Sequence, residues 1–77
     1  MTREEIAAIQ KRMKPSDVEY GNRIYRDFAG KEYRSTGVIY HRTYWARIMA
    51  EYFRVRGHKA RIGKVKGGWQ VFARKGK

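Results

Sequence analysis

Seventy-seven residues allow one domain at most, and the absence of Cys excludes disulfide frameworks, thiolate chemistry and Cys-based zinc sites. Nineteen Lys/Arg against seven Asp/Glu give a net charge of +12 and a pI near 10.5. That excess lies beyond the magnitude of about 2–8 that keeps a small domain soluble, so a polyanionic partner is expected, nucleic acid first.

The charge is uneven along the chain: residues 1–51 carry ten basic and seven acidic residues, whereas residues 52–77 carry nine basic and none acidic. No apolar run approaches the ~20 residues of a bilayer span, and no secretory apolar segment follows the first residues. A cytoplasmic location is therefore expected, nucleoid-associated if the ligand is DNA.

The first segment, TREEIAAIQKRMKP, reads as a helix over 2–14. Thr2 and Glu5 have capping-box spacing, and Ile6, Ile9 and Met13 share one face. Lys11, Arg12 and Lys14 suit the negative end of the dipole, and Pro15 stops the run. The apolar stripe is narrow, so this helix is expected at the periphery or against a second copy, which makes a homodimer plausible.

Residues 16–30 are ambiguous. Ser16 and Glu19 repeat the capping-box spacing, but Gly21-Asn22 breaks a helix, and two Tyr-rich runs flank a short loop containing Gly30. A hairpin over about 23–41 is the preferred reading. It puts Ile24, Arg26 and Phe28 on one face, Tyr25 and Asp27 on the other, and a bulge or bend at Gly37.

The clearest element is a helix over 43–56, capped by Thr43 and ended by Gly57, with Arg54 and Arg56 in its last turn. Tyr44, Trp45, Ile48, Met49, Tyr52 and Phe53 cover more than half its circumference, which marks the core helix. A second hairpin follows over 58–75, signalled by Gly67-Gly68. A three-residue loop, KGG, with a bulge at Gly63 separates apolar from basic residues best. Ala60, Ile62, Val65, Trp69, Val71 and Ala73 then share one face; Lys59, Arg61, Lys64, Lys66, Gln70, Phe72 and Arg74 share the other. The final KGK reads as a free tail. The expected fold is therefore α+β: an antiparallel sheet of two hairpins packed on the helix 43–56, with the helix 2–14 beside it.

Alternating cations on two strands space positive charge by about 6–7 Å, close to the phosphate repeat of a nucleic-acid strand. The expected site is therefore the basic face of the second hairpin: Lys59, Arg61, Lys64, Lys66, Arg74 and Lys75, with Phe72 as a stacking ring. Arg34 and Arg42 extend it, and Tyr25, Tyr33 and Tyr40 add to a platform if both hairpins share a sheet. The ordinary alternative is that these cations only protect a sheet edge and that Phe72 packs under a neighbour.

With two His, no Cys, no Gly-rich loop before a helix and only Asp27, Glu32 and His41 as imaginable catalytic groups, neither enzyme activity, cofactor nor metal is expected. Double-stranded DNA is the first-choice ligand, in an architectural or regulatory role. RNA or single-strand binding on the sheet is the alternative. A reading of another class is a protein-interaction module docking on an acidic partner.

Overall fold

The computed structural model describes residues 1–76, which form one small α+β domain of two helices and a six-stranded antiparallel sheet. In chain order the elements are α1 (Arg3–Gln10), a 3-10 turn (Pro15–Asp17), β1 (Val18–Tyr20), β2 (Tyr25–Phe28), β3 (Lys31–Ser35), β4 (Val38–Tyr40), α2 (Thr43–Val55), β5 (His58–Val65) and β6 (Gly68–Lys75).

Helix α1 starts as expected: the Thr2 hydroxyl accepts from the Glu5 N–H, and the Glu5 carboxylate accepts from the Thr2 N–H. These two bonds to Thr2 hold the Glu5 carboxyl below its ordinary value. The helix ends at Gln10, earlier than expected, and leaves Lys11, Arg12 and Lys14 outside it. Ile6 is fully buried within this single chain. Ile9 is partly buried against the core, so the chain itself covers part of this stripe.

Residues 16–30 are strand rather than helix after the 3-10 turn, where the Lys14 N–H donates to the Asp17 carboxylate. Ser16 and Glu19 form no cap; Glu19 lies in β1. The hairpin is longer than its expected span because β1 also pairs with β4 and extends the ribbon to 18–40. Between Tyr20 and Tyr25 lie four residues, and between the partners Val38 and Arg34 lie three, so one strand carries an extra residue and the ribbon bends. Gly37 takes φ +87° at this bend, and the Ser35 hydroxyl accepts from the Ile24 N–H.

Strand β6 is the centre of the sheet. β5 lies along one edge, and the two arms of the bent ribbon share the other through Tyr40↔Trp69 in β4 and Ser35↔Phe72 in β3. Gly68 permits this approach, since a Cβ there would sit 2.2 Å from the Tyr40 carbonyl oxygen.

Helix α2 covers one face of the β5–β6 hairpin. Ala46, Ala50, Ala60 and Val71 are small enough to bring helix and sheet close, and Trp45 and Tyr40 fill the end of this core. Arg42 rather than Thr43 is its N-cap, and its side chain makes no capping bond. Gly57, at φ +90°, turns the chain out of the helix as expected.

The second hairpin takes a different register from the expected one. Pairing runs unbroken from His58↔Lys75 to Val65↔Gly68, leaving a two-residue turn of Lys66 and Gly67 and no bulge at Gly63. Lys64 therefore shares the helix side with Trp69, its ammonium 4.5 Å from the ring centroid. A long aliphatic stem at the sheet's end tolerates that position, so separating every cation from the core is unnecessary. Lys75 is paired in β6 and not part of a free tail; Lys77 lies outside the described residues.

Candidate nucleic-acid interface

Opposite α2, the other face of β5–β6 carries Lys59, Arg61 and Gly63 from β5 and Arg74, Phe72 and Gln70 from β6. The β2–β3 arm adds Arg26, Phe28, Lys31 and Tyr33 to the same side. In a flat sheet β2 and β5 would be three strand spacings apart, about 14 Å. Yet Arg26 Nη1 donates to the Lys64 carbonyl of β5 at 3.3 Å, so the sheet curls strongly and this face is concave. Gly63 makes the curl possible: a Cβ there would lie 2.5 Å from Arg26 Nη1 and 2.7 Å from Phe72 Cε1. The glycine read as a bulge is instead a site of close approach.

The concave face is built on three packed rings. Phe28 meets Tyr33 edge-on at 5.2 Å and Phe72 at 5.5 Å between centroids. A guanidinium lies over each ring: Arg26 over Phe72 at 4.7 Å, Arg61 over Phe28 at 5.8 Å and Arg74 over Tyr33 at 5.9 Å. Stacked in this way, the arginines are restrained without being neutralised. The two ion pairs among the described residues lie elsewhere, Arg54–Glu51 at 3.3 Å and His41–Glu19 at 3.8 Å. Asp27 and Glu32 oppose each other on the far side of the β2–β3 arm, away from these guanidiniums. The face thus combines five cations, Arg26, Lys31, Lys59, Arg61 and Arg74, with no carboxylate in contact among the described residues.

Of the residues expected to form the site, only Lys59, Arg61 and Arg74 meet on this face as cations, the first two exposed and Arg74 half-buried. Phe72 is there but wholly buried beneath Arg26, so the stacking role expected of it is corrected to a core role. Lys64 and Lys75 fall on the helix side, and Lys66 occupies the turn. Arg34 opposes Ala73 on the helix side and lines a shallow pocket with Arg23, Phe53 and His58. Arg42 sits at the N-cap of α2.

Tyr33 joins the platform as expected, but as a buried ring under Arg74, whereas Tyr25 is exposed on the other side and Tyr40 is buried in the helix-side core. Burial first, and Tyr20 second, pushes the Tyr40 phenol up to about 12. Arg54 is structural, donating to the Ala60 carbonyl at 2.9 Å on β5.

Arg26 and Lys31 share this face without having been expected there. The alternation of Arg26 and Phe28 with Tyr25 and Asp27 was visible in the sequence. What it did not carry was the bend that folds this arm over Phe72.

Asp27, Glu32 and His41 do not converge. Asp27 and Glu32 flank the Ala29-Gly30 turn, whereas the His41 ring lies 3.2 Å from the Gly67 carbonyl near the other end of the ribbon. No cluster of three His, Asp or Glu fit to hold a metal occurs among the described residues, and no described helix is long and apolar enough to cross a membrane. No protein-family model, curated protein or solved structure matches the chain.

Proposed function

We propose that this chain binds nucleic acid through its phosphate backbone, with duplex DNA the preferred ligand, using Arg26, Arg61 and Arg74 flanked by Lys31 and Lys59. The observation that carries the reading is the set of three guanidiniums, each resting on a ring and none touching a carboxylate among the described residues. A guanidinium is planar, permanently charged and shaped to bind phosphate oxygens in pairs. Restraint by a ring lowers the rotamer entropy lost when a phosphate is bound.

Duplex is favoured over single strand because the rings are already covered. Base stacking needs an open aromatic face, and Phe72 and Tyr33 are 0% and 5% exposed. Phosphate contacts position a protein without reading sequence, which suits an architectural or regulatory role with weak base preference.

The test compares two double variants at low salt by fluorescence anisotropy. Arg61→Gln/Arg74→Gln should weaken duplex DNA binding at least tenfold, and Lys64→Gln/Lys66→Gln should weaken it far less. Single-stranded DNA and duplex RNA serve as competitors. Equal losses in the two variants would remove the concave face from the reading, and tighter binding of single strands would transfer it to them.

A further inference from the structure

On the side of the molecule away from the arginine face, α1 packs along α2 and leaves a groove of about 180 Å³ between them. One wall is Arg3, Ile6, Ala7 and Gln10, successive positions on one face of α1; the other is Tyr52, Val55 and Arg56 of the α2 end. Gln10 at the end of α1 reaches Met49 of α2, and Arg3 and Arg56 both line the groove. Arg3, Arg56 and Gln10 are the polar members of a lining otherwise made of Ile6, Ala7, Tyr52 and Val55. Neither arginine contacts a carboxylate among the described residues, and Arg56 rests 5.1 Å over the Tyr52 ring.

We infer that this groove is a docking site for an acidic protein segment that inserts one bulky apolar side chain and sets a carboxylate against Arg3 and Arg56. The occupant follows from charge and size. The wall contains two cations and no acid, and the volume matches a single side chain of the Leu or Phe class rather than a buried small molecule, whose sites run to about 300–1,000 Å³. An amphipathic segment laid between two helices is an established mode of peptide capture, with apolar anchors giving the affinity and charge the orientation. Ala7 is small and exposed, so a partner backbone meets no obstruction there. The site is independent of the arginine face, and the two together would make the chain an adaptor between a polyanion and an acidic protein.

The probe is a fluorescein-labelled peptide of Glu residues around a central Leu-Phe pair, with a same-charge peptide carrying Ala-Ala as control. Binding of the Leu-Phe peptide at least tenfold tighter than the control is expected. Ala7→Leu, which fills the groove with a good helix former, should abolish that preference while leaving duplex DNA binding unchanged. Arg3→Gln/Arg56→Gln should weaken the peptide but keep the Leu-Phe preference. Equal binding of both peptides, retention of the preference in Ala7→Leu, or its loss in Arg61→Gln/Arg74→Gln would each overturn the proposal. So would capture of octanoate by the groove with no Leu-Phe preference.

Discussion

Removing the Phe72 ring would take away the surface on which Arg26 and Phe28 rest. Truncating a buried Phe costs about 3–5 kcal/mol, and a domain this small is stable by an amount of the same order, about 0.05–0.15 kcal/mol per residue. Phe72→Ala should therefore lose most or all of its cooperative thermal transition; a ring exposed for stacking would leave the melt nearly unchanged. Gly63→Ala should destabilise by about 1–3 kcal/mol in urea unfolding, because its methyl group meets Phe72 as well as the movable end of Arg26. Ala29 works in the opposite direction. It holds φ +52° before Gly30 at +78° in the β2–β3 turn, a conformation that favours Asn before Gly. Ala29→Asn should raise stability by about 0.5–1 kcal/mol in the same assay. Tyr40 adds a pH dependence. Its folded value of about 12 exceeds the ordinary 10.0, so the folded chain keeps a proton that the unfolded chain releases. Stability should be unaffected by this group below pH 10.0 and fall as pH rises towards about 12, by at most about 1.4 kcal/mol per unit. Urea melts across that window should show the decline, and Tyr40→Phe should flatten it.

At the scale of elements, the curl depends on one arm of the ribbon reaching across β6, and Arg26 ties that arm to β5. Arg26→Met keeps the aliphatic stem over Phe72 and deletes the bond to Lys64. It should cost about 1 kcal/mol, and hydrogen exchange should quicken in β2 before β6. Both helices were legible, α1 from its capping box and α2 from periodicity and Gly57, because those signals are local. The turn of the second hairpin was legible too, but its register was not. A clean separation of cations from apolar residues was assumed to decide it, whereas Lys64 lies against Trp69 at the sheet's end and Gly63 is needed where Phe72 and Arg26 cross. Long-range packing settled both residues, and no neighbouring position in the sequence marks it. The same cause split the expected site. Alternation alone puts Lys59, Arg61 and Arg74 on one face, whereas bringing Arg26 and Lys31 to it needed the bend at Gly37, whose position was visible but whose direction was not.

For the whole molecule, a charge of +12 with two ion pairs among the described residues means that the folded state repels itself. Added salt should therefore raise the melting temperature, at about 4–8 °C per kcal/mol for a domain of this size. Nucleic acid should do the same at lower ionic strength, since a ligand that binds only the folded form stabilises it. The two effects pull apart in a binding assay, where salt competes with the ligand. The most direct measurement is thus the affinity for duplex DNA as a function of salt from about 50 to about 200 mM. Five phosphate contacts, one for each cation of the concave face, predict a slope of log K against log salt of about −4.5, falling in magnitude by about 2 in Arg61→Gln/Arg74→Gln. A slope near zero, or a steep slope untouched by that double variant, would contradict the account.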